Sequence, residues 1–380
     1  MSPIEEGGLR DSVKQALEGQ GFVVASDGIS LSGGIGANRA TQLLSRAGRL
    51  GNRGTFIAKF APVVAEHLPD GSEIDVNSID PVLVEVVSGT REESIFRWWN
   101  LVWWSLPYER AYGRQMRFLV WDRHHDALIG LIGLQSPILS WSPRDTHLGI
   151  SHKEKDYWVN MSMSAQRLGA VPPYNDLLGG KLVAMAMTTD AVRERFHSKY
   201  SGKASRMLGR QLPADLLFIT TTGAFGKSSL YNRLKMGSEP VAEFIGYTAG
   251  VGTFHIPDGV FAKMIELLKD RGVDVRRGFG TGPSRKMRLV RQAMEILGIK
   301  DGHLHGIKRG AYLFPLASNL KPVIANHEAP IFISRPLDQV VSFWKQRWAL
   351  PRSQRNGSHR AFKSADFISE TLKGLNGEKL

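Results

Sequence analysis

Residues 116–135 read MRFLVWDRHHDALIGLIGLQ, two β-rich runs on either side of a short polar break. Met116–Asp122 and Ala127–Gln135 each have the length and composition of a strand. Arg123, His124, His125 and Asp126 between them form a tight polar turn, so the stretch predicts an antiparallel hairpin. His124 and His125 then sit at its tip. A turn supplies no third ligand close by, and the pair reads as exposed turn residues, not a metal site.

Downstream of the hairpin, Val159–Leu168 reads as another strand. After the break Val171, Pro172, Pro173, Tyr174, a helix is predicted from Asn175 or Asp176 to Met187, with either residue as its cap. A basic helix over Asp190–Arg206, a buried-type strand over Leu216–Thr222, a short helix over Ser228–Leu234 and a glycine-punctuated hairpin over Val241–Ile256 come next. Helices are predicted over Gly259–Lys269 and Ser284–Leu297, then short strands and a turn over 310–345 and a basic, polar tail after Pro351. Upstream, Glu92–Leu106 carries Trp98, Trp99, Trp103 and Trp104 paired one helical turn apart. Such indoles stack on bases in single-strand binders, but four on one amphipathic helix more commonly seal a domain junction. Segments Ala37–Leu50 and Gly54–His67 have helical spacing, and Leu68–Pro81 has the composition of a linker. The fold class is therefore α/β (α+β). A mostly helical module spans 1–90, a mixed-sheet core 91–258, and a basic region 259–380 packs on that core and contacts nucleic acid.

The chain of 380 residues has no cysteine, which excludes disulfides, thiolate-bound zinc, iron–sulfur clusters and a cysteine nucleophile. The N-terminus carries Glu5 and Glu6 without an apolar stretch. The longest apolar run, Ala127–Leu134, is far short of the roughly 20 residues that cross a bilayer, so the expected location is cytoplasmic, with no membrane partner. Net charge is +13 and unevenly spread: residues 1–100 carry 9 basic and 13 acidic side chains, residues 201–300 carry 16 and 8, and residues 301–380 carry 12 and 6. A surplus of cations in the C-terminal half is the footprint of a polyanion, with DNA the foremost nucleic-acid partner.

Within that half, Arg276, Arg277, Arg285, Lys286 and Arg288 surround glycines 278, 280 and 282. These glycines would let backbone approach a phosphate chain, and Lys308 and Arg309 add charge further on; a solvated connector is the plainer alternative. Gly226-Lys227-Ser228-Ser229 lacks the first glycine of a nucleotide-binding P-loop, since Thr221 stands there. Lys227 still suits an anion. His303-Leu304-His305 copies the His-hydrophobic-His pattern of metal-dependent nucleases, without an obvious third ligand. Acid–base candidates in the core are Tyr174, Tyr231 and Glu243, each equally suited to packing or hydrogen bonding.

Several ordered blocks resemble the DruA family of bacterial anti-phage defence proteins. They are Arg114–Asp122 with Leu128–Leu134, then Leu168–Leu182 (LGAVPPYNDLLGGKL), then Phe225–Leu234 with Gly246, Tyr247 and Thr248; coverage runs from Glu92 to Asn319. The resemblance implies a role in Druantia-type defence or a related mobile-element setting, with other defence-system proteins as partners and no settled catalytic activity. The order of elements is also similar to the GNAT acyltransferase fold. That likeness implies a donor pocket at the turn Arg167–Gly180, with Asn175, Gly179, Gly180 and Lys181 at a helix start and Tyr231 as general acid, while the cofactor stays unspecified. Pro172 and Pro173 remove amide donors from this turn, and Asp176 opposes a pyrophosphate. Three readings stand: a nucleic-acid-binding defence component with a derived acyltransferase-like pocket, a non-enzymatic nucleic-acid-binding module, and a metal-dependent nuclease or mobile-element protein.

Overall fold

The computed structural model of the chain describes residues 3–25, 28–31, 36, 40–41, 53–104, 111, 113–205, 209–224, 226–276 and 285–375; most of the expected helix 37–50, Phe225 and residues 277–284 lie outside them. The chain opens with α1 (Pro3–Glu18), the small hairpin β1 (Val23–Ala25) and β2 (Gly28–Ser30), and α2 (Gly54–Ala65). Next come β3 (Pro81–Glu85), α3 (Arg91–Val102), β4 (Gln115–Asp122) and β5 (Ala127–Gln135). Short helices α4 (Ser142–Leu148) and α5 (Lys155–Asn160) lead into β6 (Ser162–Ala170), and α6 (Gly179–Ala186) with α7 (Asp190–Tyr200) connect it to β7 (Phe218–Thr222). After β8 (Lys235–Met236) and β9 (Glu239–Pro240), strand β10 (Glu243–Tyr247) runs out into α8 (Asp258–Asp270) and α9 (Arg285–Ile296) before the chain returns as β11 (Gly310–Pro315). Helices α10 (Leu320–Asn326), α11 (Leu337–Trp344), α12 (Leu350–Asn356) and α13 (Ser364–Leu375) complete the order.

The expected hairpin, β4 with β5, forms toward the β3 edge of a seven-stranded mixed sheet ordered β10-β11-β7-β6-β5-β4-β3. Every neighbouring pair is antiparallel except β6 and β7, which run parallel through Ser162–Ser164 against Phe218–Thr220. A parallel pair needs a long crossover, which α6 and α7 supply. Side chains alternate between faces. Phe118, Val120, Ile219 and Phe314 pack under α6, α7 and α11, while Leu119, Trp121 and Leu131 meet α2 and α3 on the opposite face. On that opposite face, toward β7 and β11, Phe218 and Leu313 pack on α4, α5 and α10. The tryptophans of α3 serve these junctions. Trp98 donates its indole N–H to the Ile57 carbonyl at 2.9 Å, Trp103 donates to the Ala170 carbonyl at 2.8 Å, and Phe367 of α13 stacks on Trp99 at 5.4 Å.

Long-range packing redraws the expected outline. Instead of gathering round a core of their own, Leu9, Val13, Leu17 and Phe22 pack with Phe254, Met264, Leu268, Leu289, Val290 and Met294 in a second, mostly helical core. This subdomain therefore joins the N-terminus to the excursion between β10 and β11. The expected linker 68–81 carries Ile74, Val76 and Ile79 into the main core, and β3 is an edge strand.

Several local expectations change for the same reason. Residues 174–177 make a 3-10 turn and Leu178 adopts φ +57°, so α6 begins only at Gly179; a Cβ there would lie 2.6 Å from the Tyr174 carbonyl oxygen. Residues 228–234 form turns, not a helix: Arg233 has φ +63°, and the Ser228 N–H is held by the Tyr312 hydroxyl at 2.8 Å. Val241–Ile256 does not fold back as a hairpin: β10 pairs with β11, and Gly250 meets Gly306 where the excursion leaves the sheet. The basic tail contributes α12 and α13, and the region 310–345 is largely helical after β11.

Candidate functional site

The start of α6, where the acyltransferase likeness places a donor, is covered by the chain's own C-terminal helices. Trp344 donates its indole N–H to the Leu178 carbonyl at 3.1 Å, and Arg352 Nε donates to the Asp176 carbonyl at 3.2 Å. Gly180 faces Leu230, and Lys181 Nζ donates to the Leu230 carbonyl at 3.2 Å while lying 5.1 Å from the Trp348 ring. Burial pulls the Lys181 ammonium below its ordinary pKa. Asn175 lies in the turn just before this helix, its backbone N–H bonded to the Val171 carbonyl.

Tyr231 is buried between β6 and β11. Its hydroxyl donates to the Leu168 carbonyl at 3.3 Å, and its ring sits 5.3 Å from Tyr312 and 5.7 Å from Phe314. Burial raises its phenol pKa. Tyr174 is buried and donates to Asp122 Oδ2 at 2.8 Å; desolvation and the Asp122 charge push its phenol up. Asp122 is itself fully buried and holds four donors: Tyr174, His125 Nδ1 at 2.6 Å, and the backbone N–H groups of Asp80 and His124. His125 Nε2 accepts from the Asp75 N–H at 3.1 Å, so its two ring nitrogens tie the end of β4 to the 68–81 segment.

Glu243 opens β10 and lies 3.0 Å from His147 Nε2, at the end of α4. The two line a cleft of about 650 Å³ with Glu239, Pro315, Leu320 and Lys321. Arg335 is buried behind it, bonded to Glu239 at 2.6 Å and to the Pro315 carbonyl.

The basic residues divide into two neighbouring groups. On the subdomain, α9 buries Leu289, Val290, Ala293 and Met294, while Arg285 and Arg291 are exposed and Lys286 and Arg288 half-buried. Arg285 Nε donates to the Val275 carbonyl at 2.7 Å, Lys286 reaches Asp258 at 3.5 Å, and Arg276 is exposed beside them; Arg277 lies outside the described residues. No acid occupies the first turn of α9. At the root of the subdomain, Lys308 is exposed and Arg309 and Thr248 exchange bonds, Thr248 N–H to the Arg309 carbonyl and Arg309 N–H to the Thr248 hydroxyl at 3.0 Å. Gly226 bridges to Arg309, which places exposed Lys227 alongside, its ammonium 4.5 Å from the Phe244 ring. Phe244 and Tyr247 carry no functional mark in the sequence beyond the aromatic-glycine run Phe244–Tyr247 itself. Only the pairing of β10 with β11 brings them to Lys227.

His305 is buried, accepts from the Ile307 N–H at 3.1 Å, and is held down to about 3 by desolvation and by the neighbouring His255 and Arg309. Among the described residues, no set of three His, Asp or Glu side chains is placed to hold a metal. No helix among them is long and apolar enough to cross a membrane.

Residues 42–326 match the family described as Druantia protein DruA. Over 382 aligned residues the chain is 34% identical to a Druantia protein DruA from Escherichia coli (strain UMEA 4076-1), covering 97% of this chain and 94% of that protein. No solved structure matches.

Proposed function

The chain belongs to the Druantia DruA family, and from that premise we propose that it acts in defence against phage by engaging nucleic acid, DNA foremost, through the subdomain inserted between β10 and β11. The observation that carries this reading is the first turn of α9. Arg285, Lys286 and Arg288 crowd the positive end of a helix whose first turn has no acid. Cations at that end oppose the helix dipole and cost about 0.3–1 kcal/mol each, whereas a bound phosphate would be favoured by both the dipole and the charges. Such an arrangement is poor for stability and good for a polyanion. Arg276, from the loop before α9, and Arg291, two turns along it, extend the cationic surface.

The core is the scaffold in this reading. The order of its elements is the feature on which the acyltransferase likeness rests. Tyr231 is bonded to the Leu168 carbonyl, Trp344 to the Leu178 carbonyl, and Lys181 lies against Trp348, which supports Asn175, Gly179, Gly180, Lys181 and Tyr231 as packing residues, with Tyr174 a strut for Asp122. Other proteins of the defence system are the proposed partners for any chemistry on the bound nucleic acid.

The direct test is fluorescence anisotropy of the purified chain with labelled duplex DNA at rising salt, paired with plaque counts in cells that carry the full defence system. Tight binding that weakens steeply with salt, together with protection lost on charge reversal of Arg285 and Arg288, is the expected result. Absence of binding at low salt would end the proposal.

A further inference from the structure

The strand edge beside the subdomain has a composition the cationic helix lacks. Strand β10 is the outermost of its sheet, and among the described residues no strand pairs with its free side. Edge strands are ordinarily guarded against other chains, and the bulge between Phe244 and Gly246 is one such guard. The bulge also re-aims the end of the strand. Tyr247 emerges 48% exposed, with its ring 5.2 Å from Phe244.

Behind Tyr247 the rings continue inward, Phe244 to Tyr312 at 5.6 Å and Tyr312 to Tyr231 at 5.3 Å, so the exposed ring is braced by a line of aromatics anchored in the core. Exposed Lys227 lies over Phe244, exposed Lys308 is on the next loop, and Thr248 is bonded to Arg309. Gly246, at φ +121°, leaves the backbone beside the ring bare of side chain. A pre-ordered aromatic face with cations on its flank is what unpaired bases stack on, because every base offers a π-face and the flanking charges track the phosphates. A duplex keeps those faces inside its own stack.

We propose that Tyr247, backed by Phe244 and flanked by Lys227 and Lys308, is a stacking platform for single-stranded nucleic acid. The inference rests on the nucleic-acid reading above and deepens it. It assigns the sheet edge to unpaired bases and leaves the α9 surface to the sugar-phosphate chain of either form.

The test compares the wild-type chain with Tyr247→Ala and Tyr247→Phe, using a fluorescein-labelled oligothymidylate of about 15 residues and a duplex of equal length. Tyr247→Ala should weaken oligothymidylate binding between about five-fold and a hundred-fold, since stacking contributes that much per base, and leave duplex binding unchanged. Tyr247→Phe keeps the ring and should restore the wild-type value. Because the side chain is half exposed, neither variant threatens the fold. Equal losses on both probes, or no loss on either, would overturn the platform. Oligothymidylate binding that depends on Arg285 and Arg288 but ignores Tyr247 would sink this inference alone, while a wild-type chain that binds neither probe would sink both.

Discussion

Replacing Arg276, Arg285 and Arg288 together by alanine isolates the electrostatic contribution of the α9 surface. Each phosphate neutralised by a cation contributes a slope of about −0.9 to the dependence of log affinity on log salt. Three such contacts amount to a slope of about −2.7, so between about 50 and 200 mM salt they account for roughly a 40-fold fall in affinity. The variant should lose that part of the salt dependence and bind weakly even at low salt. Stability should move the other way. Removing two cations from the first turn of α9 relieves about 0.3–1 kcal/mol each of dipole conflict, offset by the lost Arg285 bond to the Val275 carbonyl. Anisotropy titrations at several salt concentrations, with a thermal melt of each protein, give both numbers. An unchanged slope would refute the argument, and so would a binding loss that merely tracks a lower melting temperature.

Tyr174→Phe removes one of the two donors on Asp122 Oδ2 and should cost about 1.5–3 kcal/mol in urea unfolding tracked by tryptophan fluorescence. A cost under about 0.5 kcal/mol would mean that the bond carries little. His305 is held down to about 3 when folded, well under the 6.5 of a free histidine, so the unfolded chain takes up the proton first. Its stabilising contribution is complete above about pH 6.5 and falls by up to about 1.4 kcal/mol per unit as pH drops toward 3. Hydrogen exchange should therefore show residues 254–276 and 285–307 opening at pH 5 before the sheet, and His305→Gln should flatten that dependence; identical profiles would contradict it. Gly130→Ala places a Cβ 2.5 Å from the Gly169 carbonyl oxygen and 2.6 Å from Val183, so it should force β5 from its neighbours and cost about 1–3 kcal/mol of stability, measured in the same unfolding assay.

Elements whose signals are local are readable in the order of residues alone. The β4–β5 hairpin was legible because two apolar runs flank a four-residue polar break, and α8 and α9 because their apolar residues recur at helical spacing. The mixed α/β class came from the alternation of such runs. The blocks around Leu168–Leu182 carried the family resemblance without any coordinates.

What surrounds those elements emerges once distant segments pack together. Nothing near Leu9 or Val13 announces that α1 completes a core with α8 and α9, hundreds of residues later. Nor does the tail after Pro351 show that it closes over Asp176. Tyr231 reads alike as an acid or as a packing ring until its hydroxyl is seen on the Leu168 carbonyl. Tyr247 reads as a strand residue until β10 is left at the open edge of the sheet. The physical reason is that periodicity and turn chemistry are properties of a few consecutive residues, while burial, partner choice and exposure depend on which distant segments meet. Those meetings are set by the total free energy of the packed chain, which no short window of sequence contains.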